Sequence, residues 1–181
     1  MIAQWLIEAR RKFRLDGYAT LADVGMDGDF VSPIQMKSAS PTGPLLLAFH
    51  WSDVETVRSH YSVVRELGYL PDTTFNKVVD RALDLCRLTR GGVYITQAFH
   101  LLPHKGRSSK VPTQHIDCSF KAITRHELVG RKVIALGNAA ADACRRNGFV
   151  PHRSEAHPSA RGRDVEEKAI DLARALKSAL G

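Results

Sequence analysis

Three short apolar runs divide the chain into regularly spaced segments. They cover residues 44–49 (PLLLAF), 92–96 (GVYIT) and 132–136 (KVIAL). A short, continuous run of this kind is typical of a strand that is buried on both faces, as in a parallel sheet. We therefore predict three buried strands.

Between and around these runs the apolar residues recur at helical spacing. The pattern predicts helices over residues 2–14, 53–67, 75–87, 113–129 and 164–180. Asp53 can cap the second of these, and Thr73 or Thr74 can cap the third. Residues 16–43 are rich in Gly, Asp, Ser and Pro, and we expect an extended loop region there.

This alternation of strands and helices predicts a single α/β domain over residues 1–181. The expected architecture is a three-layer α/β/α sandwich around a short central parallel sheet. Sites in such folds lie at the carboxyl ends of the strands. The loops of interest therefore begin at Phe49, Thr96 and Leu136.

Composition narrows the class of protein. The formal charge of +7 and the pI near 9.6 favour a polyanionic partner. The sequence contains no apolar run long enough for a membrane span and no signal-peptide pattern at its start. Three widely spaced cysteines predict free or buried thiols in a reducing cytoplasm, and we expect a cytoplasmic monomer that does not bind membranes.

Residues 131–163 hold the most informative sequence (RKVIALGNAAADACRRNGFVPHRSEAHPSARGR). The third predicted strand leads into Gly137 and Asn138, and a helix of small residues follows at 139–146. After a further short segment comes the loop 157–163 (HPSARGR). This arrangement places a histidine, a rigid turn and two arginines together, which suits a polarising group beside a phosphate backbone.

Three blocks carry a family resemblance from about residue 44 to residue 163. They are FNKVVDRALDLCRL followed by GVYITQAF, then KVIALGNAAADAC, then HPSARGR. In this order and spacing they resemble the uracil-DNA glycosylase superfamily. The resemblance implies base flipping, hydrolysis of the N-glycosidic bond of uracil in DNA without a cofactor, and an abasic product.

The resemblance also implies roles for individual residues. Phe75 matches the residue that stacks on the flipped base, and Gln97 stands where the family usually has an asparagine that reads the uracil edge. His157 matches the histidine that bonds uracil O2 and stabilises the departing anion. Ser159 and Arg161 match positions that hold the DNA backbone or wedge into the duplex, and Arg163 adds a second cation beside them.

The first catalytic motif departs from the family pattern. His50 and Trp51 fall where the water-positioning residue is expected, and no Pro-Gly follows. His50 could orient or deprotonate the attacking water, or be a structural histidine. Asp53 is a second candidate, although an N-cap role would account for it fully. Trp51 could stack on a base or fill the core.

Other signals point to DNA contacts and away from metals. The basic loop 104–110 offers Lys105, Arg107 and Lys110 for phosphate contacts, or is simply a solvated loop. Three cysteines cannot hold an iron–sulfur cluster of the kind found in some subfamilies. The spacing of His100, His104, His115 and Cys118 fits no compact zinc pattern, so we expect no metal.

Three functions from different classes remain open at this point. The leading hypothesis is a monofunctional uracil-DNA glycosylase. The second is a non-catalytic or weakly catalytic protein that binds damaged or abasic DNA, which the missing acidic first motif supports. The third is an unrelated α/β enzyme that acts on a phosphorylated small molecule.

Overall fold

The structure is a computed structural model that describes residues 2–104 and 111–181. Four strands form one all-parallel sheet in the order β2-β1-β3-β4. The strands are β1 (Leu45–His50), β2 (Tyr94–Phe99), β3 (Val133–Leu136) and β4 (Arg153–Glu155). Helices cover both faces, so the predicted three-layer α/β/α sandwich is confirmed.

Eight α-helices are defined in the described part of the chain. They are α1 (Gln4–Lys12), α2 (Val54–Ser59), α3 (Tyr61–Leu67), α4 (Thr74–Leu85), α5 (Thr113–Ser119), α6 (Arg125–Leu128), α7 (Asn138–Arg146) and α8 (Val165–Leu180). A π-helical turn, Phe120–Thr124, joins α5 to α6, and a 3₁₀ turn, Pro33–Met36, lies within the predicted loop region. None of the helices described is both long and apolar enough to cross a lipid bilayer.

The core forms on both faces of the sheet because side chains alternate along each strand. Leu46, Ile95 and Ile134 point to one face, where α4 and α8 cover them. Leu45 and Leu47 point to the other face and pack with α5, α7 and the π-helical turn. The buried apolar runs of the sequence thus became β1, β2 and β3, as predicted.

The structure contains one strand that was not predicted, β4, and two predicted elements have different bounds. The expected helix over residues 53–67 is two helices, because His60 leaves the helical region with φ −122° and ψ 28°. No Gly or Pro marks this break in the sequence. The second strand begins two residues later than predicted and continues to Phe99, with all six residues buried.

A buried carboxylate lies beneath β2 on the α5–α6 side. The Glu127 side chain is fully buried and accepts hydrogen bonds from Gln35 Nε2 (2.9 Å), Tyr94 Oη (2.7 Å) and Thr96 Oγ1 (2.7 Å). We call these four residues the Glu127 cluster. Burial raises the pKa of Glu127 to about 7, against the opposing effects of these donors and of the Arg131 charge.

The raised pKa predicts a specific pH dependence of stability. The folded protein holds the Glu127 proton more tightly than the unfolded chain. The contribution of this proton to the free energy of unfolding is therefore full below pH 4.5 and is lost as pH rises through about 7. Replacing Glu127 by Gln removes the titration. The free energy of unfolding of the variant, relative to the native protein, should therefore rise by about 3 kcal/mol between pH 4.5 and pH 8.5.

Urea denaturation at a series of pH values measures this difference. Glu66→Gln is the matched control for the removal of a carboxylate, because Glu66 is exposed on α3. A constant difference for Glu127→Gln would contradict the prediction.

Candidate functional site

A cavity of about 540 Å³ opens at the carboxyl ends of the strands. It lies where β1 and β3 end side by side, and the chain runs outward from this point toward β2 on one side and β4 on the other. Ligands bind at such switch points in open α/β sheets. Its lining is mostly apolar, and its polar lining residues are His50, Ser52, Thr56, Thr73, Asn76, Thr96, Gln97, Asn138, His157 and Ser159.

His157 is placed in this cavity by the end of β3. Gly137 has φ +88°, and its N–H donates to the carbonyl of Glu155 at 2.8 Å. A Cβ on Gly137 would come within 2.8 Å of the His157 Cβ. Only glycine therefore satisfies both the backbone conformation and the close approach.

The hydrogen bonding of His157 defines its tautomer. The backbone N–H of Ser159 donates to His157 Nδ1 at 3.1 Å, so the ring proton lies on Nε2. Burial lowers the pKa of His157, and the Lys168 charge lowers it further. At neutral pH the side chain is therefore an uncharged imidazole with an N–H donor.

Phe75 lies next to His157. It sits in the first turn of α4, where Thr73 caps the helix through the N–H of Asn76. The rings of Phe75 and His157 are 5.7 Å apart at 42°. The Phe75 ring is half-buried and lines the cavity, so one aromatic face is available to a flat ligand.

Gln97 is the most unusual polar residue of the cavity. It is only 3% exposed, near the end of β2. Its side-chain amide makes no hydrogen bond with any residue that the structure describes, whereas its backbone carbonyl accepts one from Thr124 Oγ1 at 2.9 Å. An amide in such a place retains an unused donor and an unused acceptor, both of which a ligand can satisfy.

His50 is the last residue of β1 and also lines the cavity. Its Nδ1 is shielded from solvent and has no hydrogen-bond partner among the described residues. Burial lowers the pKa of His50, Asp53 acts in the opposite direction, and His157 lowers it. His50 and His157 line the same cavity.

Asp53 serves as the N-cap of α2, as its position in the sequence predicts. Its carboxylate accepts from the N–H of Thr56 at 2.7 Å and from Thr56 Oγ1 at 2.9 Å. Asp53 is not among the described residues that line the cavity. Its catalytic role stays a prediction, and the cap accounts for its contacts.

Trp51 packs in the core, and its stacking on a base stays a prediction. Its Nε1 donates to the carbonyl of Gly68 at 2.9 Å, and the ring packs against the cores on both sides of α2 and α3. The same ring lines the cavity. Trp51 therefore holds the segment after β1 against the start of the loop before α4.

The candidate DNA-binding residues lie in different environments. Ser159 is exposed at the cavity rim, and Arg161 is exposed without an ion pair to any described residue. Arg163 is held by Asp171 at 2.7 Å and donates to the Glu167 carbonyl at 3.3 Å. The predicted phosphate contacts of Lys105, Arg107 and Lys110 lie outside the described residues.

The histidines of the basic loop region do not converge. His100 bonds Thr124, His104 pairs with Glu55, and His115 bonds Tyr18. Over residues 2–104 and 111–181, no three His, Cys, Asp or Glu side chains form a group that could hold a metal ion.

Sequence reasoning missed two features of the site. The start of α7 lacks a side-chain cap, and Asn138 and Ala139 line the cavity there, so the positive end of a helix dipole faces it. The Glu127 cluster behind β2 was missed as well. A Gly-Asn pair before a helix was a visible signal for the first, but no local pattern marks the second.

Comparison with known proteins adds no family assignment. No protein-family model matches the chain, and no curated protein matches it either. The residues and geometry of the cavity are therefore the basis for any functional conclusion.

The close approach at Gly137 gives a test of how His157 is held. Gly137→Ala should destabilise the fold by more than 2 kcal/mol, because it adds a steric clash to an unfavourable positive φ. Gly148→Ala is the matched control, since Gly148 has φ +72° but nothing within 4 Å of an added Cβ. It should cost only about 1–2 kcal/mol.

Urea denaturation compares the two variants, and the pKa of His157 measured by NMR should move toward its ordinary value in Gly137→Ala alone. Equal losses of stability and an unchanged His157 titration would contradict this account.

Proposed function

We propose that this protein is a DNA glycosylase that flips uracil out of DNA and hydrolyses its N-glycosidic bond. The observation that carries the proposal is the Gln97 amide, which is buried, open to the cavity and unused by the described residues. Beside it are an aromatic face, Phe75, and a neutral imidazole donor, His157. A flat ring with carbonyl and N–H groups matches this set.

Base recognition follows from the chemistry of an amide. The N–H₂ of Gln97 can donate to uracil O4, and its oxygen can accept from uracil N3–H. The Phe75 ring can stack on the base after it leaves the duplex. The Gln97 side chain is one methylene longer than the asparagine that is usual in the family the sequence resembles. The cavity volume of about 540 Å³ leaves room for that extension.

Departure of the base requires stabilisation of negative charge. When the bond between C1′ and N1 breaks, its electron pair stays on uracil and spreads to O2. The Nε2–H of His157 is a preorganised donor for that oxygen, and the positive end of α7 lies in the same cavity. A neutral donor here needs no proton transfer before the bond breaks.

Water completes the reaction at C1′. One water molecule adds its oxygen to C1′ of the sugar as uracil leaves, and its proton passes to a base. His50 Nε2 is the candidate acceptor, because the lowered pKa keeps the ring neutral with a free lone pair at neutral pH. The uracil anion then takes up a proton, and His50 gives up the one it accepted, so the products are an abasic site and free uracil, with no cofactor consumed.

A second candidate function is the recognition of damaged or abasic DNA without catalysis. None of the described residues that line the cavity is a carboxylate, and this observation favours it. An enzyme acting on a phosphorylated small molecule is less well supported, because no Lys or Arg lines the described cavity.

Release of free uracil from a uracil-containing oligonucleotide tests the proposal directly. His157→Ala should lower the single-turnover rate by about 100-fold or more, the loss typical of one removed anion donor, with little change in DNA affinity. His152→Ala is the matched control, because His152 is exposed and bonds Ser178 away from the cavity. It should keep the native rate.

Absence of uracil release by the native protein, together with salt-sensitive binding to abasic DNA, would replace the proposal with the non-catalytic function. A native rate in His157→Ala would remove this residue from the mechanism.

A second pair of variants distinguishes between His50 and Asp53, the two candidates for water activation. His50→Ala should lower the excision rate with little loss of stability, since it removes the proton acceptor. Asp53→Ala should lower stability by about 1 kcal/mol, since it removes the cap of α2, and should retain most of the excision rate in the folded protein.

Thermal melts and single-turnover rates at a temperature where both variants are folded measure the two effects. Loss of turnover in Asp53→Ala with an active His50→Ala would reverse the assignment.

A further inference from the structure

β2 is an edge strand, and on its outer side the only backbone pairing among the described residues is an isolated bridge at Tyr94, where the segment at residues 38–40 bonds Val93 and Ile95. Two side chains satisfy carbonyls there. Gln35 Nε2 donates to the Ile95 carbonyl at 3.3 Å, and Thr124 Oγ1 donates to the Gln97 carbonyl at 2.9 Å. The backbone orientation at Gln97 therefore depends on side chains from outside the sheet.

Both of these side chains are fixed in turn. Gln35 Nε2 also donates to Glu127 Oε1 at 2.9 Å, while its Oε1 accepts from the N–H groups of Val31 and Ser32. Thr124 uses its hydroxyl proton on Gln97, so its oxygen accepts from His100 Nε2–H at 3.1 Å. Gln35, Thr124 and His100 thus belong to hydrogen-bonded groups that reach the backbone of β2.

Glu127 also binds β2 directly. It accepts hydrogen bonds from the hydroxyls of Tyr94 and Thr96. These two side chains lie on one face of β2, and the side chain of Gln97 lies on the other. Holding these two side chains fixes the rotation of the strand about its own axis. That rotation sets the direction in which the Gln97 amide projects into the cavity.

We propose that Glu127 is a positioning residue that orients the Gln97 amide and so determines which base edge the cavity accepts. The inference rests on the proposed function only in that Gln97 meets a base. An apolar residue of similar size would fill the space with less desolvation cost, but it would not hold three donors in fixed directions.

The groups around Glu127 make its own titration observable. Facing it are Gln35 from the 3₁₀ turn, Tyr94 and Thr96 from β2, and His100, with the Arg10 and Arg131 charges nearby. Burial lowers the pKa of His100 to about 3, and burial raises the pKa of Tyr94. Glu127 is thus the member of this group that titrates near pH 7.

The first experiment needs no ligand. The side-chain N–H₂ resonances of Gln97, identified by their loss in Gln97→Ala, are followed from pH 5.5 to pH 8.5. They should shift with a midpoint near pH 7 in the native protein and in the Glu66→Gln control, and that step should vanish in Glu127→Gln. A Gln97 signal without this step, or with the same step in Glu127→Gln, overturns the inference.

The second experiment measures the rate and selectivity of base excision. Single-turnover release of uracil should fall about 10- to 100-fold in Glu127→Gln, and the preference for uracil over cytosine should narrow, because misplacement of a binding group is costly. Glu66→Gln should match the native protein. Native rates and selectivity in a folded Glu127→Gln overturn the inference.

Variants of Thr124 provide an independent test of the inference if the Glu127→Gln variant does not fold. Thr124→Val removes the hydroxyl on the Gln97 carbonyl and should reduce excision and selectivity in the same way, whereas Thr124→Ser keeps the hydroxyl and should retain both. Equal behaviour of these two variants overturns the inference. If the native protein releases no base, the proposed function fails, and the NMR experiment still decides the positioning role.

Discussion

The parallel pairing of β1 with a strand on each side is the constraint on which the site depends. Leu45, Leu46 and Leu47 are fully buried and pair with both β2 and β3. Parallel pairing brings the carboxyl ends of all three strands to one edge of the sheet. The residues that leave those ends therefore meet in one cavity, although they are distant in the sequence.

This constraint explains how much of the fold could be predicted. Inner strands that are buried on both faces must be continuous apolar runs, and such runs are visible in the sequence. β4 has no such signal, because its Arg-Ser-Glu sequence is mostly exposed and it forms through backbone pairing with β3. The break between α2 and α3 was also hidden, since His60 carries no intrinsic helix-breaking character.

The same distinction between local and long-range causes applies to the site. The cap formed by Asp53 was predictable, because its partner Thr56 lies three residues away. The placement of His157 depends on a Gly137 that is twenty residues distant, so the sequence suggested the pair of motifs but not their contact. The lack of a hydrogen-bond partner for the Gln97 amide among the described residues could not be predicted, because it depends on the hydrogen bonds that all the neighbouring elements make.

In a cavity that recognises a base through hydrogen bonds, two physical requirements oppose each other. Its recognition group must be unsatisfied without ligand, and such a group tends to rotate toward the nearest protein partner, because an unpaired buried amide is unfavourable. Here the backbone carbonyl of Gln97 is satisfied from behind by Thr124, and the adjacent Thr96 hydroxyl is satisfied by Glu127. The nearest groups on the far side of β2 thus already have their partners. The Gln97 amide has no competing partner to turn toward among the described residues, and it remains available to whatever enters the cavity.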